Sequence, residues 1–422
     1  MRVIFLTFLL MTITVSVSAY SPQWPIGDIN GDGRITSADA TKLARYLVGH
    51  FAPDPGHVSH TAEWRRIADI NCDGEVNAED LIRLAQALVG HFIMLCPGGG
   101  CWRCDPENHQ PPTGHRFPGG SGTEGDPFWV STPEDLNAVR YHLDAHFLQI
   151  NDIDMGFHTT SPGGLFYNGG AGWEPIGTFE SDINWFDDVF SGTYDGGGYV
   201  ISGLTIDRTS TRQQLLVGLF AYIYGGEVRN LGMVGGSVRG SSTGGTDSRV
   251  IAGAISGYLV GGRLSNSFNT GAVTAENEPY IGSRVFAGGL IGRVHASKIT
   301  NIYNKGSVSA IVGIGSSAFA GGISGAATSE DANNVSRISN ALNKGTIYAS
   351  NPARVSYAGG ITGYMYSGSI IDSCNKGYVE AFTAAGGIIG SARAVEVTNL
   401  SNTGRISGGI PHLIGEIFGS FR

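Results

Sequence analysis

Gly288-Gly-Leu-Ile-Gly292, followed twelve residues on by Asn304-Lys-Gly306, is one copy of a unit that recurs through the C-terminal half of the chain. Glycine-rich cores stand at Gly253–Gly257, Gly288–Gly292, Gly321–Gly325, Gly359–Gly363 and Gly386–Gly390. Each is followed by an Asn-x-Gly turn: Asn269-Thr-Gly271, Asn304-Lys-Gly306, Asn343-Lys-Gly345, Asn375-Lys-Gly377 and Asn402-Thr-Gly404. From first to closing glycine the offset is 18 residues in four copies (253 to 271, 288 to 306, 359 to 377, 386 to 404) and 24 in the third (321 to 345). The polar run Ser329 to Asn334 supplies the six extra residues. A fixed rung whose corners alone can grow is the signature of stacked coils. Short alternating runs such as Ser307-Val-Ser-Ala310 after each turn predict strands, and one unit recurring in one direction predicts a right-handed parallel β-helix rather than a sandwich.

Stacking places like on like, about 4.8 Å apart. Asn266, Asn301, Asn340 and Asn399 should form one column, with Asp372 as its exception. Asn269, Asn304, Asn343, Asn375 and Asn402 should form another, their amides bonding along the stack. Cys374 takes the position of Phe268, Tyr303 and Leu342, which predicts a buried free thiol. Leu413-Ile-Gly415 and Ile417-Phe418 read as a last partial coil.

Upstream, Thr132-Pro133-Glu134-Asp135 gives an N-cap, a proline at N1 and an acidic N3, predicting a helix through Leu136, Val139 and Leu143. Phe147–Ile150, Asn151–Asp154, Trp173–Gly177 and Phe190–Gly198 read as short strands between turns. The domain plan is a signal peptide over 1–19, a helical module over 20–94, a Pro/Gly-rich linker over 95–125, an entrance region over 126–216 and the repeats over 217–422. Arg2, an apolar run from Val3 to Val17 and the small residues Val17-Ser-Ala19 support the first of these. No later apolar run reaches the ~18 residues a membrane span needs, so the mature protein is expected to be secreted, without a membrane span. A net charge of −9 argues against a nucleic-acid partner. Cys72, Cys96, Cys101 and Cys104 suit disulfides in a secreted chain better than a zinc site, with their pairing open.

The helical module carries Asp28-Ile-Asn-Gly-Asp-Gly33 and again Asp69-Ile-Asn-Cys-Asp-Gly74. Oxygen ligands at loop positions 1, 3 and 5 with glycine at 6 suit calcium, a hard cation of loose geometry. Asp28, Asn30, Asp32, the Arg34 carbonyl and Asp39 form one ligand set; Asp69, Asn71, Asp73, the Glu75 carbonyl and Asp80 form the other. Two calcium ions are expected. Ala40, Leu43, Ala44, Leu47 and Val48 then recur at helical spacing, as do Leu81, Leu84, Ala85, Leu88 and Val89, so each loop feeds one amphipathic helix.

A calcium loop with an exit helix and no entry helix, present twice, resembles a type I dockerin. That resemblance implies docking to a cohesin domain of a scaffoldin in an extracellular polysaccharide-degrading complex. It also implies that Ser37, Ala38, Ala78 and Glu79, with Lys42, Arg45, Arg83 and Gln86 on the outer helix face, carry partner choice. The repeats are similar to GLUG repeats, matched literally at Gly289-Leu-Ile-Gly292. That family occurs in surface adhesins and beside an immunoglobulin-cleaving metalloprotease, and the repeats themselves imply no chemistry.

No catalytic motif stands out. None of the eleven histidines precedes a glutamate, so H-E-x-x-H is absent. Glu174, Glu180, Asp182, Asp187, Asp188 and Asp195, interleaved with Trp173, Trp185 and Phe186, form the densest acidic stretch and could grip a sugar, or be a solvated loop. Lys305, Lys344 and Lys376 share one turn position and could form a basic ridge toward an anionic polysaccharide. The expectation is a dockerin carrying a non-catalytic β-helix. A β-helix lyase or glycosidase, and an adhesin binding a cell surface, remain open; a Lys or Arg converging with two Asp in one groove would favour the lyase.

Overall fold

A computed structural model describes Leu43 and residues 115–177, 189–278, 281–313, 315–329, 335–351, 355–408 and 414–421. The chain divides into two compact units, Met1–Pro112 and Thr113–Arg422. In the first, Leu43 is helical and fully buried, in keeping with its place in the apolar stripe. Both calcium loops and the rest of both expected helices lie outside the described residues.

The second unit is mainly β, a solenoid of about five turns in which every strand pairing is parallel. A representative coil runs through Arg249–Gly253, Ser256–Val260, Arg263–Asn269 and Ala272–Asn277. The first of these belongs to a seven-stranded sheet, the middle two to a seventeen-stranded sheet, and the last to another seven-stranded sheet. We call these the first, second and third walls. The stack extends upstream of the repeat units, because Phe128–Val130, His146–Gln149, Thr193–Asp195 and Glu227–Arg229 pair in succession in the second wall. Phe117, from the Pro/Gly-rich stretch, stacks on Phe128 at 4.5 Å.

The expected helix forms at Pro133–Ala138 but is shorter than expected, tightening into a 3-10 turn over Val139–Tyr141 before Leu143. Thr132 accepts the Asp135 N–H at 3.1 Å, and Asp135 accepts the Thr132 N–H in return. Of the expected short strands, His146–Gln149, Ile153–Asp154 and Thr193–Asp195 form. Trp173–Gly177 is irregular, with isolated bridges joining Gly172 to Ile206 and Ile176 to Phe220.

The interior is built from columns of one residue type. Val273, Val308, Ile347 and Val379 stack from the third wall, Leu264, Ile299, Ile338 and Ile370 from the second, and Ala252, Ala287, Ala320 and Ala358 from the first. All are buried. Alanine on the first wall leaves room for the bulkier columns facing it, which is how a narrow coil reaches native packing density. Cys374 does stack on Leu342, but it is half-buried rather than buried, because it lies near the exposed turn at Asp372.

Both asparagine columns form. Asn304, fully buried, donates through Nδ2 to the Gly306 carbonyl at 2.9 Å and to Asn343 Oδ1 at 2.9 Å. Its Oδ1 accepts from Gly306 N–H at 3.2 Å and from Asn269 Nδ2 at 3.1 Å. The pattern continues through Asn343 and Asn375 to Asn402, so the buried amides are satisfied along their length. The closing glycine is needed because a Cβ on Gly306 would stand 1.8 Å from the Gly271 carbonyl. The outer column sits where the second wall bends, at left-handed φ: 49° at Asn266, 57° at Asn301, 51° at Asn340, 49° at Asp372 and 50° at Asn399. Asn and Asp adopt that conformation at least cost among non-glycine residues. Here Asn301 donates to Asn266 and Asn340 to Asn301, and Asn399 donates to Asp372 at 2.7 Å.

Asn343→Ala should cost about 3 kcal/mol in urea unfolding, because it strands the buried Gly345 N–H and the Asn304 amide. Asn301→Gly, on the exposed column, should cost less than about 1 kcal/mol, since glycine keeps the left-handed turn. Equal losses at the two sites would show that the buried column is not the stabilising one.

Candidate functional site

The first and second walls meet at a sharp crease on the outside of the solenoid, and the repeat glycines create it. The last glycine of each Gly-Gly-Ile-x-Gly unit presses on the first wall of the preceding coil. A Cβ on Gly292 would lie 2.8 Å from Ala252 N, and one on Gly325 2.8 Å from Ala287 N. With the walls this close, their outward side chains meet and form an apolar cluster separate from the core.

Four columns line the crease. On the first wall run Leu216, Ile251, Phe286, Phe319, Tyr357 and Ala384, with Gln214, Arg249, Arg284, Ser317 and Val355 outside them. On the second run Tyr222, Tyr258, Arg293, Ala326, Tyr364 and Ser391, with Tyr224, Val260, His295, Thr328, Tyr366 and Arg393 outside them. Phe286 and Phe319 stack at 4.9 Å within 8° of parallel, and Phe319 reaches across to Tyr364 at 5.8 Å. The Arg293 guanidinium bridges the walls, 5.2 Å from the Tyr258 ring centre and 5.8 Å from that of Phe286. Ile251 and Phe286 are buried in the floor, whereas Tyr258, Phe319 and Tyr364 are half-buried and Tyr366 is 37% exposed at the lip.

The electrostatics are one-sided. Among the described residues no carboxylate occupies any of the four columns, while Arg249, Arg284, Arg293 and Arg393 do. Desolvation, followed by the nearby charges of Arg284 and Arg293, lowers the Arg249 pKa, with Asp247 opposing. Arg293 Nε is buried without a hydrogen-bond partner.

The residues singled out from the sequence fall elsewhere. Trp173 is not a surface sugar contact: it is fully buried and donates Nε1–H to the Leu219 carbonyl at 3.1 Å. Glu174 is exposed beside it. Asp195 is held by Arg229 at 2.7 Å and by Asn230 at 2.9 Å, contacts that draw its pKa down against the opposing effect of burial. Glu180, Asp182, Trp185, Phe186, Asp187 and Asp188 lie outside the described residues, as do all the calcium-loop and partner-face residues. Lys305, Lys344 and Lys376 do share one exposed corner, their backbone N–H groups bonding to Asn269, Asn304 and Asn343 carbonyls at 2.8 Å. Arg229 contacts Asp195 and Glu227, and Arg239 contacts Asp207 and Glu276. The Asp195, Asp207 and Glu276 contacts cross between neighbouring strands, whereas Arg229–Glu227 lies along one strand, and each arginine meets one Asp rather than two. Among the described residues no three His, Cys, Asp or Glu side chains cluster to hold a metal, and no helix is long and apolar enough to cross a membrane. The crease was missed in the sequence; its signal is an aromatic residue two positions before three of the five glycine-rich cores (Phe286, Phe319, Tyr357) and a tyrosine or arginine one position after three of them (Tyr258, Arg293, Tyr364).

Residues 26–89 match the family model of the type I dockerin domain, and the β-solenoid follows it along the chain. A dockerin of this type implies docking to a cohesin, and such domains bind calcium. Over 160 residues the chain is 31% identical to halomucin of Haloquadratum walsbyi, a match covering 37% of this chain and 2% of that protein. Over 122 residues it is 37% identical to a protein of Evansella cellulosilytica named as a Gly-rich membrane protein, covering 28% of this chain and 12% of the other. The chain therefore spans only a small part of these relatives. A crystal structure of a candidate immunoglobulin A1 protease from Bacteroides ovatus aligns at a TM-score of 0.48 and 21% identity, covering 71% of this chain and 87% of that one.

Burial in the crease pushes the Tyr222 hydroxyl up to about 12. The folded state thus holds this proton more tightly than the unfolded state, whose tyrosines titrate near 10. Stability that Tyr222 contributes below pH 10 should be lost as pH rises toward 12. Tyr222→Phe should flatten the fall of the thermal midpoint across that window; an unchanged pH profile would place Tyr222 in water.

Proposed function

We propose that the chain is a secreted dockerin protein whose N-terminal unit binds two calcium ions and docks to a scaffoldin cohesin, delivering a non-catalytic, right-handed solenoid of GLUG-like repeats to a polysaccharide-degrading complex. The observation that carries the reading is the dockerin match over residues 26–89, which contains both copies of the Asp-x-Asn-x-Asp-Gly loop. The donor chemistry fits the ion: each loop offers Asp and Asn side-chain oxygens and a backbone carbonyl, and no nitrogen or sulfur ligand. Bound calcium supplies charge neutralisation.

The remaining steps belong to the chain. Without a counter-charge, Asp28, Asp32 and Asp39 repel one another at close quarters, as do Asp69, Asp73 and Asp80. Once that repulsion is offset, each loop fixes the first turn of its exit helix, and the apolar stripes through Leu43 and Leu84 pair. Ser37, Ala38, Lys42 and Arg45 then form one docking face, and Ala78, Glu79, Arg83 and Gln86 the other. The near-twofold repetition gives the module two related faces of different chemistry, since Ser37 has Ala78 as its counterpart.

Calorimetry of the mature protein should give two calcium sites, with Asp28→Ala and Asp69→Ala each removing one. Cohesin binding should require calcium and vanish with chelator. A protein that takes up no calcium, or binds cohesin equally well in chelator, would overturn this reading.

A further inference from the structure

The crease between the first and second walls lies outside the dockerin match, and its charge opposes that of the whole chain. A protein with a net charge of −9 has gathered Arg249, Arg284, Arg293 and Arg393 along one concave line with no carboxylate among the described residues of the lining columns. Interior packing does not account for them, because Arg249, Arg284 and Arg393 are exposed. Nor are they paired: the ion pairs formed by arginines among the described residues involve Arg229 and Arg239. The bridging Arg293 keeps a buried Nε without a partner. Between the cations, the rings of Tyr258, Phe319, Tyr364 and Tyr366 remain partly open to solvent. The same two surface types recur along the stack, at a repeat of about 4.8 Å per rung.

We propose that this crease binds a carboxylated polysaccharide laid along the solenoid axis. Its sugar rings lie against the half-exposed Tyr258, Phe319, Tyr364 and Tyr366, and its uronate groups sit on Arg249, Arg284 and Arg293. The chemistry matches on both sides. A sugar ring has an apolar C–H face for an aromatic wall, and a carboxylate takes two parallel hydrogen bonds from a guanidinium. A polymer of like units suits a ladder of like rungs, whereas a folded partner would need a flat or pocketed surface. The crease is independent of the calcium loops, so the inference goes beyond the docking reading and stands without it.

The test uses the full chain in affinity electrophoresis and calorimetry against polygalacturonate, alginate, neutral arabinoxylan and poly-glutamate, with and without calcium. Polygalacturonate or alginate should bind in both conditions, and arabinoxylan should not. Arg284→Gln and Tyr366→Ala, both at exposed positions that leave the fold intact, should each weaken binding about tenfold. The triple variant Lys305→Gln, Lys344→Gln, Lys376→Gln should bind as the parent does. The proposal fails if neither acidic glycan binds, if poly-glutamate binds as well as they do, or if arabinoxylan binds equally. It also fails if the lysine variant abolishes binding while Arg284→Gln leaves it intact. Because calcium uptake and cohesin binding are read separately, loss of the docking reading does not touch this result.

Discussion

A buried primary amide is costly unless all four of its hydrogen-bonding positions are filled, and the solenoid is arranged around filling them. In each coil the Asn-x-Gly turn satisfies half of the asparagine from its own backbone, and neighbouring rungs supply the rest. The amide is therefore content only when coils are stacked in register. Valine and alanine columns contribute most of the burial, but apolar side chains tolerate a slipped register in a way that a buried amide does not. The closing glycine follows from the same requirement, because the carbonyl of the coil below occupies the space a side chain would need.

Much of this was visible in the chain itself. The constant offset between glycine core and turn, and the single 24-residue exception, announced rungs with extensible corners. Both asparagine columns could be drawn before any coordinates, since stacking puts like on like. The helix at Pro133 was legible because its capping box is a local signal. What escaped was everything set by the angle between walls. Trp173 sits among acidic residues in sequence and in the core in space. Phe286 and Arg293 are seven positions apart and look unremarkable in a line of text, yet they face each other across the crease. Periodicity identifies which residues point outward; it does not say whether the outside is convex or folded in on itself.

The two units divide their work by different physics. The dockerin match spans the acidic loop sequences at Asp28 and Asp69, whereas the solenoid crease is lined with guanidiniums, so the two units carry opposite charge patterns. The lysine corner at Lys305, Lys344 and Lys376 is a weaker case, because its residues are exposed and their charge is screened.

The two asparagine columns also differ in sense. The buried amides hand their Nδ2 donors toward the C-terminus, from Asn269 to Asn304 and onward, while the exposed ones donate toward the N-terminus, from Asn301 to Asn266. A column of this kind has a head and a tail. A duplicated or inserted coil can splice in only with its acceptor facing the incoming donor, so the array can lengthen by head-to-tail copying but not by inversion. Asp372 shows the rule at its limit: it accepts from Asn399 but, as a carboxylate, has no proton to pass on to Asn340. The outer column, open to water, survives that missing link. The same aspartate in the buried column would break the relay where no water can repair it.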